Sequence, residues 1–324
     1  MLDWRRHALS VLEQEGVAAA YNQLVEAVGQ GNATAAICLA EWRLTGQLIR
    51  RDLSEARKYY GIAAKSLPEA RERYVALLAN GAGDSGRNWS DAISILKEDS
   101  SPDALAQISL LERMAIDGDG NPKTLPSAEH PLHKAEISIF RNFVSSSEAD
   151  YLCSIARPKL ARAMVVHPQT NQLIADPIRR SSSTAFTFVE ERPIVHAINR
   201  RIAHATGTSY ENGEPLQVLS YEAGDEYKLH LDTLPDPRNQ RQFTLLVYLT
   251  EDYEGGETTF PHLDWSFKGS VGDALLFRNL DAANLPNPSM AHFGGAVRAG
   301  RKMILSKWIR SSPLDLSGPR NLPF

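Results

Sequence analysis

The chain has 324 residues, enough for about two domains. It is 43% hydrophobic and 23% charged with a net charge of −4, which excludes a disordered chain and offers no cationic surface for nucleic acid or an anionic membrane. Two cysteines, Cys38 and Cys153, exclude a disulfide framework, and no signal-peptide core or membrane-length apolar run occurs; a cytoplasmic protein without a membrane segment is expected.

Residues 1–116 read as helices, because alanine and leucine recur at helical spacing in AAICLAEWRL and EARERYVALLANG. A longer period lies over that one. Ala35 and Ala70 are 35 apart, as are Gly46 and Gly81; Ala56 and Ala92 are 36 apart, and Ala70 and Ala104 are 34 apart. The segments ATAAICLAEWRLTG, LPEARERYVALLANG and SPDALAQISLLERMAIDG each end at a glycine, a natural helix stop. Between them, DLSEARKYYGIAAK and WSDAISILKED open with a capping Asp or Ser. Helix pairs at this spacing predict an α-solenoid and resemble Sel1-like repeats, relatives of the tetratricopeptide repeats. Such repeats are expected to bind protein. Residues 117–133, rich in Gly, Pro and Asp, read as a linker.

Residues 134–324 change character. After a helix in SSSEADYLCSIARPKL come short strand-like runs: QVLSYEAG, EYKLHLD, QFTLLVYLT, GETTFP, DALLFRN and RKMILSKWIR. Many short strands without alternating helices point to an antiparallel sandwich or barrel, so the whole is a multidomain α+β chain. Residues 163–180, AMVVHPQTNQLIADPIRR, carry no periodic pattern and are expected to form a mobile flap over the active site.

In EYKLHLD, His230 and Asp232 sit at i and i+2, so a strand projects them to one side. Two histidines and one carboxylate on one face form the ligand set of non-haem Fe(II) oxygenases. The third ligand could be His292, in NPSMAHFGG, or His262, in TTFPHLDW. A zinc hydrolase could use the same three groups with a water. Ten residues past His292 stands Lys302. On a strand it shares a face with Ile304, Ser306 and Trp308, a pattern that suits a cavity wall in which the buried ammonium needs an anion, such as a dicarboxylate. Thr244, Leu246 and Tyr248 likewise share one face of QFTLLVYLT, offering two hydroxyls to such a carboxylate.

Together, YEAGDEYKLHLD, RQFTLLVYLTEDYEGGETTFP and HFGGAVRAGRKMILSKWI resemble the prolyl 4-hydroxylase branch of the 2-oxoglutarate/Fe(II) dioxygenases. ISIFRNFVSSSEADYLCSIA and RRSSSTAF resemble the opening strand, helix and Arg-Ser-Ser strand of that family, so the likeness spans residues 134–312. Met303 and Ala296 depart from it, where a Trp and a Pro are common. The resemblance implies a double-stranded β-helix (jelly-roll) catalytic domain with flanking helices. It implies Fe(II) on His230, Asp232 and His292, and 2-oxoglutarate held by Lys302 with Tyr221 or Tyr248. It also implies O2 and ascorbate, and Arg241 and Trp308 bordering the substrate. A protein or peptide containing proline would be hydroxylated with release of succinate and CO2. Other targets are a different residue or a small molecule, and a chain with an inert barrel would be a binding scaffold only.

Overall fold

The structure, a computed structural model, describes every residue except 1–2, 84–85, 133–135, 167–172, 237, 317 and 319–321. By contact the chain divides into two compact units. One comprises Met1–Gly120, Thr187–Ala197 and Asp315–Phe324; the other comprises Asn121–Phe186 and Ile198–Leu314. Residues 187–197 and 315–324, expected in the second domain, belong by contact to the first unit. Their apolar side chains Phe188, Val189 and Leu316 instead pack on the helical core.

The first unit is built from α1 (Trp4–Glu15), α2 (Val17–Gly29), α3 (Ala33–Thr45), α4 (Leu53–Ala63), α5 (Pro68–Asn80), α6 (Trp89–Glu98) and α7 (Pro102–Leu111). The starts of α3 and α5 are 35 residues apart, those of α4 and α6 36, and those of α5 and α7 34. Gly46 and Gly81 close α3 and α5 in the left-handed conformation, as the glycine spacing predicts. Two local expectations differ. α7 stops at Leu111, well before Gly118, and α6 is capped by the side chain of Asn88 rather than by Ser or Asp. The core is dominated by small residues, Ala35, Ala36, Ala40, Ala63 and Ala70 among them, which let helix backbones approach closely.

The second unit carries two further helices, α8 (Ser146–Ala156) and α9 (Pro193–Thr206), the latter entered from the first unit. A capping box starts α8: Ser145 Oγ accepts from the Glu148 amide, and the Glu148 carboxylate accepts from the Ser145 amide. The strands, in chain order, begin with β1 (Ala128–Glu129), β2 (Ile137–Phe140), β3 (Ala161–Arg162), β4 (Met164–Val166), β5 (Leu173–Ala175) and β6 (Arg179–Arg180). Next come β7 (Ser182–Phe186), β8 (Leu216–Tyr221), β9 (Glu226–His230), β10 (Arg241–Tyr248), β11 (Tyr253–Gly255) and β12 (Thr258–Phe260). Last are β13 (Trp265–Phe267), β14 (Ala274–Arg278), β15 (His292–Gly294), β16 (Val297–Gly300) and β17 (Lys302–Arg310).

Thirteen of them form an eight-stranded sheet in the order β1-β2-β14-β10-β17-β8-β7-β3 and a five-stranded sheet in the order β13-β12-β15-β9-β6; β11 pairs with β16 and β4 with β5, and every pairing is antiparallel. The core here is made of large side chains such as Tyr248, Phe260, Phe277 and Ile304. In the expected flap, β4 and β5 form a hairpin; its connecting residues 167–172 lie outside the described residues.

Candidate active site

A cleft of about 390 Å³ opens between the two sheets. β17 supplies one wall with Lys302, Ile304, Ser306 and Trp308, the alternate residues expected to share a face. β9, β12 and β15 supply the other with Tyr227, His230, Thr258 and His292.

β15 pairs with β9 so that His292 stands opposite His230. Strand β9 ends at His230, so Asp232 lies just past it rather than on it, yet its carboxylate still turns to the histidines. His230 Nε2 is 3.4 Å from Asp232 Oδ1, and His292 Nε2 is 3.8 Å from Asp232 Oδ2. One donor atom from each residue lies within 4.8 Å of the other two. Neighbouring ligands bound at about 2.1 Å to one ion sit roughly 3 Å apart, so this set needs little movement to close on a cation. His262, the rival ligand, is exposed on a short turn and is not part of the cluster.

Both rings are pre-set. His230 Nδ1 bonds to the carbonyl of Lys228 at 2.8 Å and His292 Nδ1 to that of Met290 at 3.0 Å. A carbonyl only accepts, so each Nδ1 carries the proton and each Nε2 presents its lone pair to the cluster. Tyr227 stacks on His230 at 3.6 Å between centroids, and Phe277 meets His292 edge-on at 4.8 Å. Burial pushes the pKa of His292 down, with Asp232 pulling the other way, so the ring is held neutral. Burial by itself would raise Asp232. The contact with His230 and a hydrogen bond from Thr244 act against burial, and the carboxyl is held well below the usual range.

The Thr244 Oγ1 to Asp232 Oδ2 bond is 2.6 Å, and Thr244 Oγ1 in turn accepts from Asn279 Nδ2 at 2.9 Å, all three residues being buried. The Thr244 hydroxyl, expected to meet a bound carboxylate, donates instead to the Asp232 carboxylate of the cluster. Nothing local in the sequence marks Asn279, whose link to the site runs through Thr244 on a neighbouring strand.

At the other end of the cleft Lys302 is 3% exposed. Its ammonium donates to the Gly256 carbonyl at 2.7 Å, and burial lowers its pKa to about 8, with Glu257 raising it and Lys268 lowering it. Gly256 turns that carbonyl inward with φ +71, a conformation that favours glycine. An ammonium has three N–H donors, so Lys302 retains capacity for an anion in the cleft. Tyr221 lines the cleft beside it, its phenol kept protonated chiefly by burial. Tyr248 does not line it: its hydroxyl is engaged by Thr258 Oγ1 at 3.0 Å and the Phe267 carbonyl at 3.1 Å. Thr258, overlooked in the sequence, takes its place on the wall. Of the two residues expected beside the substrate, Trp308 lines the cleft. Arg241 lies over its ring at 3.6 Å and bonds to Glu214.

Two imidazoles that present Nε2 to a buried carboxylate at one end of the cleft, with the Lys302 ammonium at the other, fit a ferrous ion, which His230, Asp232 and His292 would hold, and a dicarboxylate whose far end Lys302 would meet. That combination defines a 2-oxoglutarate-dependent Fe(II) dioxygenase. When bound, the ion and cosubstrate supply the oxidation that hydroxylates a C–H bond and releases succinate and CO2. The chain's own work is to fix three ligand atoms, hold the far carboxylate and surround both with apolar side chains that keep water out.

The 2OG-Fe(II) oxygenase superfamily profile matches residues 216–310. Prolyl 4-hydroxylase 1 of Arabidopsis thaliana is 38% identical over 193 residues, covering 54% of this chain and 68% of the relative. Probable prolyl 4-hydroxylase 10 of the same plant is 34% identical over 256 residues, covering 72% and 83%. A crystal structure of a viral collagen prolyl hydroxylase from Paramecium bursaria Chlorella virus-1, in complex with 2-oxoglutarate, matches with a TM-score of 0.46 and 26% identity over 56% of this chain and all of that one. The chain belongs to the prolyl 4-hydroxylase family of 2OG-Fe(II) oxygenases.

Proposed function

We infer that the protein hydroxylates proline at C4 within a peptide or protein. One observation carries this reading: the His230–Asp232–His292 cluster and Lys302 occupy opposite ends of a single cleft, in a chain whose relatives bear the name prolyl 4-hydroxylase. The test is direct. Binding of Fe(II) and 2-oxoglutarate is measured without oxygen. Admission of oxygen with a proline peptide then yields succinate and a peptide heavier by one oxygen atom, located at C4 by fragmentation and amino-acid analysis. Succinate release without any oxidised proline counts against the substrate.

Finer readings belong to the same proposal. The two antiparallel sheets around the cleft support a double-stranded β-helix, and helix starts at 34–36-residue spacing support stacked Sel1-like repeats in an α-solenoid. The β4–β5 hairpin supports a flap. Recruitment of a protein target by the repeats draws on the extended surface that such arrays offer. Ascorbate would serve as the accessory reductant of the family. Cys38 and Cys153, both buried as free thiols, support a reducing, cytoplasmic compartment.

A further inference from the structure

Arg241 on β10 and Arg310 on β17 are direct cross-strand partners. Arg310 lies two residues past Trp308 and so continues the face that lines the cleft. Both guanidinium groups bond to one carboxylate. Arg241 grips Glu214 with two bonds, at 2.7 and 2.8 Å, and Arg310 Nε reaches the same Oε1. All three side chains are largely buried, at 17%, 19% and 11% exposure.

Charge counting around the cleft isolates this cluster. Arg179 faces Asp176 and Arg180 faces Glu226; Arg238 faces Asp236, which also acts on Arg310, so Arg238 and Asp236 enter the count together and cancel. Inside the loaded cleft, a dication and the Lys302 ammonium balance the Asp232 carboxylate and the two carboxylates of 2-oxoglutarate. Glu257 and Lys268, the other charges that act on Lys302, offset one another. The Arg–Glu–Arg cluster is left with one positive charge over. Backbone carbonyls of Asp232 and Asn239 accept from the two arginines but carry no charge to cancel it. Beside them Trp308, 8% exposed and on the cleft wall, has a buried indole N–H with no hydrogen-bond partner among the described residues. Among these described residues one carboxylate, Glu214, serves two guanidinium groups, and a second anion would complete the balance.

We propose that Arg241, Arg310 and Trp308 form a carboxylate-recognition subsite, and that the preferred substrate is a proline with a carboxylate beside it; this rests on the proline-hydroxylase reading above. A partly buried excess charge is stabilised by an incoming counter-ion, and a charged hydrogen bond of this kind contributes enough to change affinity on the order of 10-fold or more. The carboxylate could belong to a flanking Asp or Glu side chain or to a chain end.

The test uses the full-length protein with Fe(II) and 2-oxoglutarate and three blocked peptides: proline flanked by Glu, the same peptide with Gln, and the Gln peptide with a free carboxyl end next to proline. Binding is measured by calorimetry without oxygen and hydroxylation by mass spectrometry. We expect the Glu peptide to exceed the Gln peptide on the order of 10-fold in affinity and in kcat/KM, mainly through KM. Arg310→Gln should bring the ratio near one, Arg310→Lys should keep most of it, and added salt should shrink it. Preference for the free-acid peptide alone supports the subsite and assigns it to a chain end. Equal binding and hydroxylation of all three overturns the proposal while leaving proline hydroxylation standing. So does a preference undiminished in Arg310→Gln or, should that variant not fold, one that salt does not reduce in the unsubstituted protein. Acid-selective binding with no hydroxylation of any peptide overturns the proline reading and not the subsite.

Discussion

The helical unit and the β unit both bury polar groups, but they use them differently. In the helices, Arg43 is 8% exposed and its guanidinium reaches Tyr21 Oη and the Arg50 carbonyl; Asn80 bridges the Ala82 amide and the Phe188 carbonyl. These groups tie neighbouring segments together. In the β unit, Asp232, His292 and Lys302 are as deeply buried, yet they converge on an open cleft with ligand capacity to spare. A buried polar group that joins two pieces of chain contributes to stability; one aimed into a cavity costs stability and gains binding. Burial alone does not separate the two classes, whereas following each donor and acceptor to its partner does.

This contrast can be broken most severely at the ligands. Asp232→Ala or His292→Ala should reduce 2-oxoglutarate turnover below detection, measured as succinate release, because each removes one of three protein ligands. Retained turnover in either would mean that the cluster is not the metal site.

Lys302→Met should weaken 2-oxoglutarate binding by about 2–5 kcal/mol, read by anaerobic calorimetry, while leaving the thermal midpoint of the unliganded protein equal or higher, since a costly buried ammonium is gone. Arg43→Met should do the reverse: a lower midpoint and unchanged cosubstrate affinity. If both variants behaved alike, the distinction drawn here would collapse.

Thr244→Val probes the support of Asp232. Loss of its hydroxyl leaves the three ligands in place but frees the carboxylate and strands the Asn279 amide. Iron affinity should fall by roughly 10–100-fold, and a metal titration against a chelator measures it.

The pH response follows from Lys302. Its pKa in the folded protein is lowered to about 8, below the ordinary lysine value, so above that pH the empty cleft favours neutral lysine. An anionic cosubstrate needs the charged form, so affinity for 2-oxoglutarate should decline as pH rises through about 8. Stability of the unliganded protein moves the other way: between that pH and the ordinary lysine pKa the unfolded chain binds the extra proton, so stability rises with pH there. Cosubstrate affinity that stays flat well above pH 8 would remove Lys302 from the carboxylate end.

The smallest expected effect concerns the boundary between the regions. A fragment starting at Asn121 would leave Phe188, Val189 and Leu316 without the helical core on which they pack. We expect it to melt roughly 5 °C or more below the full chain, or to aggregate. An unchanged midpoint in calorimetry would make the two units independent.

These sites differ in how far the sequence exposes them. The alternation of Lys302, Ile304, Ser306 and Trp308 was readable because β17 is long and regular, and its side-chain period is fixed by the pleat. His230 and Asp232 were readable as a pair, although the strand ends between them. Between Tyr221 and Tyr248 the sequence leaves the choice open, because alternation gives a face but not what lies across from it; Thr258 and the Phe267 carbonyl engage the Tyr248 hydroxyl. Asn279, Glu214 and Arg310 act through partners more than 25 residues away along the chain, a distance over which neither periodicity nor spacing carries information. The same is true of the tail, whose Leu316 gives no sign in its own segment that it packs on helices near the start of the chain.

The pairing of β9 with β15 has one more consequence. His230 and His292 meet because β9 and β15 pair them directly opposite one another, with a register shift between His292 and Gly294, and each ring's orientation is fixed by a carbonyl of its own strand approach. A slip of one residue would turn His292 to the opposite side of the sheet. A chain whose sheet had closed out of step would have no complete ligand set to offer, so a metal ion at these three residues would favour the correctly zipped molecule.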